Sequence, residues 1–126
     1  MGILKDRRRE VGDFGEEYAS NYLQKKGYSI VGRNVRYRVG EIDIVAKYGK
    51  ELHFIEVKTR KNIEFMPPLE SITERQRGRI KRAAEAYLID SKNHIKDHMQ
   101  PICVFDVIGI DLTTPEPSIE FVEDAF

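Results

Sequence analysis

The sequence predicts an α/β fold, a central mixed sheet with helices packed on both faces. Three observations predict it. Apolar residues recur at helical spacing in two stretches, Val11–Lys26 and Thr73–Ile89. Three strand-like runs separate those stretches and another follows, giving the order α-β-β-β-α-β. The run after the second helix, ICVFDVIGI from Ile102 to Ile110, is nearly all apolar, as expected of a strand covered on both faces.

Met1–Glu10 reads as a charged arm, and residues 11–126 as a single domain. In the first helix Phe14, Tyr18, Ala19, Tyr22 and Leu23 form the apolar stripe, and Gly27 supplies the C′ residue that ends it. Tyr28–Arg38 alternates loosely as a strand. Gly40–Ala46 and Leu52–Thr59 form a hairpin around Tyr48-Gly49-Lys50. Lys61–Leu69, with Pro67-Pro68, is a loop. Thr73 and Gln76 fit a capping box at the start of the second helix, whose buried stripe is Ile80, Ala83, Ala84, Tyr87 and Leu88. Asn93–Pro101 is a polar loop, and Ser118–Val122 a last, edge strand.

Charge is balanced overall but not along the chain. Met1 to Met99 holds all 21 Lys and Arg and 15 of the 21 acids, a net of +6. A basic body with an acidic tail is compatible with a nucleic-acid surface. Cys103 is the only cysteine, which excludes an intrachain disulfide and a multi-cysteine metal site and fits a cytoplasmic setting. The N-terminus lacks the apolar core of a signal peptide, and no segment approaches ~20 uninterrupted apolar residues, so no membrane partner is expected. His94 and His98 have helical ligand spacing but lie in a polar stretch and suggest no zinc site.

The hairpin is unusual because Glu41, Asp43, Glu56 and Lys58 stand among its apolar residues. If Gly49-Lys50 is a two-residue loop, paired positions sum to 99, and Asp43 falls opposite Glu56 and Glu41 opposite Lys58. Opposed carboxylates ~5 Å apart repel by roughly 3 kcal/mol at an effective dielectric of ~20. Protonation or a cation relieves this. Hard oxygens suit Mg²⁺ (or Mn²⁺), so Asp43 and Glu56 are candidate metal ligands, with a backbone carbonyl such as that of Val57. Lys58 would then orient water or neutralise charge at a phosphodiester, which gives metal-dependent phosphodiester hydrolysis. The bland alternative is an exposed Glu41–Lys58 ion pair and a solvated or salt-bridged Glu56.

The ordered motifs extend beyond the hairpin. D-x₁₂-E-x-K (Asp43, Glu56, Lys58) resembles the PD-(D/E)xK signature of restriction-endonuclease-like nucleases. G-x-x-G-E-x-x-A-x-x-x-L (Gly12–Leu23), N-x-R (Asn34–Arg36), G-E-I-D (Gly40–Asp43) and F-I-E-V-K-x-R (Phe54–Arg60) resemble the YraN family of predicted bacterial endonucleases, itself similar to Holliday-junction resolvases. The resemblance spans roughly Val11 to Ile110. It implies a restriction-endonuclease-like three-layer α/β/α fold and a DNA endonuclease, with branched DNA among its candidate substrates. It also implies an acid from the first helix near the metal. Glu16 lies on the side of Ala19 and Leu23 and is the choice over Glu17; helix-dipole stabilisation is the alternative role. Gln76, on the apolar face of the second helix, would support the site or simply cap the helix, and Glu41 would support the metal ligands. Arg60, Arg75 and Arg79 are candidate phosphate contacts. A homodimer is implied only through the resolvases, where two symmetric cuts need two sites. Asp106, among apolar residues, needs a partner, and an arginine is expected. A binding module without catalysis, or an interaction protein whose charges are merely paired, would carry the same residues.

Overall fold

A computed structural model describes residues 2–61, 72–93, 95 and 101–126. The chain runs α1 (Gly2–Lys25), β1 (Ser29–Tyr37), β2 (Gly40–Tyr48), β3 (Glu51–Arg60), α2 (Glu74–Ile89), a 3₁₀ turn (Ser91–Asn93), β4 (Ile102–Asp111) and β5 (Ser118–Val122). The order expected from the sequence is therefore observed, with β5 as the added strand. Helix α1 starts at Gly2 rather than near Val11. The charged segment before Val11 contains no Pro and several strong helix formers, among them Leu4, Lys5 and Arg7–Arg9, so helical backbone can continue through it. The helix ends in a Schellman motif. Gly27 adopts φ +98°, its N–H donates to Gln24 O, and Tyr28 N–H donates to Leu23 O.

The sheet has the order β1-β2-β3-β4-β5, antiparallel except for the parallel β3–β4 pair. Gly49, at φ +59°, makes the two-residue turn, and Tyr48↔Glu51, Lys47↔Leu52 and Ile44↔Ile55 pair in the register expected. Helix α2 provides the crossover to β4 that a parallel pair requires. Its capping box is complete: Thr73 Oγ1 accepts Gln76 N–H, and Gln76 Oε1 accepts Thr73 N–H at 3.0 Å.

Two apolar clusters lie on opposite faces. On one, Ala19 and Leu23 of α1 pack on Ile44, Ala46, Ile55, Ile108 and Ile110. On the other, Ile80, Ala83, Ala84 and Tyr87 of α2 pack on Ile42, Val45, Leu52 and Phe54. Each large apolar side chain buried this way contributes ~1.5–3 kcal/mol, which fixes the α/β/α layering.

Strand β4 is less covered than its composition implies. Val107–Ile110 is buried, but Ile102 is 59% exposed and Cys103 is also exposed. The cause is the short edge strand: β5 pairs only with Val107–Asp111, leaving the first half of β4 with one neighbour. Most of the two expected loops, with His94 and His98, lies outside the described residues. Among the described residues no helix is long and apolar enough to cross a membrane.

Candidate active site

The β2–β3 hairpin opens where its charged residues begin. Regular pairing stops at Ile44↔Ile55, one step short of Asp43 and Glu56. Beyond that point Asp43 Oδ2 accepts the Val57 N–H at 2.8 Å, replacing a strand-to-strand bond with a side-chain one. Ile42 and Ile44, which strict alternation would put on one face, pack in opposite clusters. The backbone turns at Asp43, so its carboxylate stands at the boundary between the helical layers.

Glu56 follows on β3, and Lys58 Nζ lies 3.8 Å from its Oε1, each side chain 19% exposed. The alternative Glu41–Lys58 ion pair is not present among the described residues; Lys58 turns to Glu56, and Glu41 is exposed. Burial is the main force raising the Glu56 carboxyl, to about 8, with the Asp43 charge next. Burial also raises Asp43, opposed by the Val57 N–H. Near neutral pH the raised Glu56 carboxyl favours its protonated form beside Asp43.

Glu16 reaches this region from α1. The helix crosses β3 at Gly15, where an added Cβ would overlap Thr59 Oγ1, and that close approach delivers the next residue to the cleft. Glu16 is raised to about 7 by burial first and by Asp43 second. Its Oε1 is buried without a hydrogen-bond partner. Glu17 points outward and pairs with Arg33 at 2.7 Å. Asn34, at φ +51°, stands near Glu16 and favours its charged form. Its only trace in the sequence is the N-x-R motif, because the left-handed backbone that aims it has no periodic signature.

A cavity of about 200 Å³ joins Asp43 and Glu56 to α2, lined by Glu41, Asp43, Glu56, Gln76, Arg79 and Ile80; Glu16 and Lys58 lie outside its lining. Gly40 sets its width: a Cβ there would overlap the Arg79 carbonyl oxygen. Gln76 thus both caps α2 and lines the cavity. Arg79 is exposed at its rim, while Arg60 and Arg75 lie outside the lining. Among the described residues, no three Asp, Glu, His or Cys side chains converge as a ready-made cage. The donor set still suits a hard divalent ion that keeps much of its water: Asp43 and Glu56 face each other, and Glu16 presents an unused buried oxygen.

Asp106 corrects one expectation. Its partner is His53, through Nδ1, and not an arginine. His53 Nε2 meets Glu51 Oε1 at 2.9 Å, Asp106 Oδ1 accepts the Asp124 N–H at 2.8 Å, and Tyr28 packs edge-on against the imidazole. This buried network lies toward the turn end of β3, away from Glu56 and Lys58. It ties β3, β4 and the segment after β5 together.

Comparison with known sequences bears on the cleft as a whole. The model of the uncharacterised protein family UPF0102 matches residues 15–110. This chain belongs to that family. A UPF0102 protein of Dehalococcoides mccartyi is 40% identical over 118 residues, covering 94% of this chain and 93% of the relative. One of Clostridioides difficile is 44% identical, with 94% and 97% covered, and one of Acidothermus cellulolyticus is 41% identical over the full length of both chains. UPF0102 is the family that the motifs from Gly12 to Arg60 resemble. The matched region of the UPF0102 model contains Glu16, Asn34, Glu41, Asp43, Glu56, Lys58, Arg60, Gln76 and Arg79.

Proposed function

We propose that this chain is a metal-dependent DNA endonuclease with the PD-(D/E)xK constellation, Asp43 and Glu56 holding Mg²⁺ or Mn²⁺. The observation that carries the reading is the facing pair Asp43 and Glu56 where the hairpin opens, with Glu16 on α1 near enough to feel their charge. All three carboxyls are raised, and one buried oxygen is left unpaired. Such a group is costly without a cation. When bound, the ion supplies positive charge beside a phosphodiester and acidifies water.

The chain's own residues account for the rest. Val57 N–H fixes the Asp43 carboxylate. Lys58, steered by Glu56, brings an ammonium into the cleft to orient the attacking water and offset charge gathering on the phosphate. Glu16, on the neighbouring α1, would accept a proton from that water. Water oxygen bonds to phosphorus, the P–O ester bond breaks, and the leaving alcohol takes up a proton. Arg79 at the rim, with Arg60 and Arg75, supplies phosphate contacts. Branched DNA is a candidate substrate, and a homodimer would provide paired cuts.

The test is cleavage of labelled four-way junction, linear duplex and single-stranded DNA with Mg²⁺ or Mn²⁺, with Glu56→Ala and Lys58→Ala in parallel. Cutting by the wild type that is lost in both variants and in chelator is the expected result. No cutting of any substrate, with no metal binding by calorimetry, would overturn the reading.

A further inference from the structure

Helix α2 carries Arg75, Arg77, Arg79, Lys81 and Arg82, and its two sides treat these cations differently. Arg77 and Lys81 turn toward the C-terminal segment and lie over aromatic rings, Arg77 at 5.7 Å from the Phe126 centroid and Lys81 at 5.7 Å from that of Phe105. Arg75, Arg79 and Arg82 fall on the other side, within about 60° of one another around the helix and about 10 Å from first to last along it. All three are exposed, and among the described residues none forms an ion pair with a carboxylate. The acids of the same helix, Glu74 and Glu85, point about 80–100° away from Arg75. The β1–β2 turn runs beside this row: a Cβ on Gly40 would meet the Arg79 backbone and Cβ, and exposed Arg38 stands two positions earlier. Gly78 lies in the middle of the row. Glycine is a poor residue for a helix interior, and no crowded neighbour demands it here: the nearest atom to an added Cβ is Arg82 Nη1, at 3.3 Å. The missing side chain gives the Arg82 guanidinium room to lie back along the row.

We propose that Arg75, Arg79 and Arg82, with Arg38 from the turn, form a track for the sugar–phosphate backbone of a nucleic acid leaving the cleft, and that Gly78 positions Arg82 in it. The inference rests on the nuclease reading and says which way its substrate runs. Continuity favours it. Arg79 lines the same cavity as Asp43 and Glu56, so a phosphodiester held by that pair has its neighbouring phosphates beside the row. Chemistry favours it too. Guanidinium groups with no carboxylate partner of their own present paired N–H donors that match phosphate oxygens. The chain has as many acids as bases, 21 of each, and the cations on the other side of α2 are engaged by rings. A row left unmatched is therefore not the alternating charge of a merely solvated helix face. Glu41, which also lines the cavity, stands opposite Arg36 in the β1–β2 register, so Arg36 is left out of the track. Contacts to the backbone carry no sequence information, and the track accepts duplex or single strand of any sequence.

The test is equilibrium binding of the full chain, in chelator so that nothing is cut, to labelled duplex and single-stranded DNA of two unrelated sequences, over roughly 50–200 mM salt. Each phosphate contact contributes about 0.9 to the slope of log affinity against log salt on duplex, and about 0.7 on single strands. Arg38→Ala, Arg75→Ala and Arg82→Ala are each expected to weaken binding to both sequences alike and to lower the slope by roughly that amount. Lys47→Ala and Lys50→Ala make the same charge change at the closed end of the hairpin and leave both unchanged. Gly78→Ala separates binding from folding. It is expected to raise the melting temperature, since alanine is the better helix former, and yet to weaken binding. Equal losses in the lysine and arginine variants, a loss confined to one sequence, or an arginine-dependent binding of anionic phospholipid vesicles with DNA affinity intact would overturn the track. Wild-type affinity in Gly78→Ala would overturn the role given to Gly78. The two readings fail separately. Arginine-dependent binding without cutting under Mg²⁺ or Mn²⁺ sinks only the nuclease; cutting by a protein whose binding ignores the row sinks only the track.

Discussion

Asp43 and Val57 are joined across the open end of the hairpin, carboxylate oxygen to backbone N–H, at 2.8 Å. One side chain therefore shapes the strand opening and also faces Glu56. Asp43→Asn separates these roles, because the amide oxygen still accepts from Val57 while the charge is gone. It is expected to keep the wild-type melting temperature within a few degrees and to abolish divalent-ion binding measured by calorimetry. Asp43→Ala leaves the Val57 N–H unpaired, a penalty of about 1–3 kcal/mol partly offset by relief of repulsion. A metal-binding Asp43→Asn variant would remove Asp43 from the ligand set.

The raised carboxyls give stability a definite pH dependence. Glu16 and Glu56 rise from ordinary values near 4.5 to about 7 and about 8. The folded protein thus holds more protons than the unfolded chain across that interval. By linkage, the stability of metal-free protein is highest below about pH 4.5–5 as far as these groups are concerned and declines as pH rises toward 8. Thermal melts in chelator from pH 5 to pH 8.5 are expected to show this fall, and Glu56→Gln to flatten it. Added Mg²⁺ is expected to restore stability mainly at the alkaline end, where it replaces the protons. A melting temperature that climbs with pH in chelator would contradict the raised carboxyls.

Glu56→Ala is expected to stabilise the chelated protein at pH 8, on the order of 1 kcal/mol, because it removes a buried carboxyl that opposes Asp43. Urea unfolding measures it. A clear loss of stability would mean that Glu56 is satisfied in the metal-free state and that Lys58, at 3.8 Å, is a sufficient partner.

His53 and Asp106 are expected to behave in the opposite way. Each is almost fully buried and depends on the other. Removing one partner by His53→Ala or Asp106→Ala leaves the other stranded, at a cost of about 3–5 kcal/mol. Metal affinity of the folded variant is expected to be unchanged, since the pair lies toward the other end of β3. Denaturant melts and calorimetry on the same samples check both halves of the prediction.

Glycine-to-alanine changes probe how α1 and α2 frame the cleft. At Gly15 the obstacle is a side chain, Thr59 Oγ1; at Gly40 it is the Arg79 carbonyl oxygen. Gly15→Ala is expected to be rescued by Thr59→Ala, whereas Gly40→Ala has no single-residue rescue and costs ~1–3 kcal/mol as helix and strand are forced apart. Melting of the two single variants and the Gly15/Thr59 pair decides it.

Positions were legible where local chemistry fixed them. Gly49-Lys50 set the hairpin register as far as Ile44↔Ile55, one step short of Asp43 and Glu56; helical phase turned Glu16 inward and Glu17 outward. The partner of Asp106 was not legible. His53 reaches it across the parallel β3–β4 pair, whose offset no short turn specifies. The exposure of Ile102 was hidden for a similar reason: it depends on where the short β5 stops, not on β4's own composition. Gln76 was legible as a cap, and its second place in the cavity lining depends on how closely Gly40 lets α2 approach.

The two facing acids also have a bearing on how the chain folds. Asp43 and Glu56 are brought together by a tight turn only thirteen positions apart in sequence, while β3 and β4 must find each other across 51 positions. Hairpins close within microseconds, and long-range parallel pairing is slow. The carboxylates therefore meet before most of the core exists to hold them. Anything that quiets them, a proton or a divalent ion, acts at the start of the reaction, and its kinetic signature is faster refolding rather than slower unfolding.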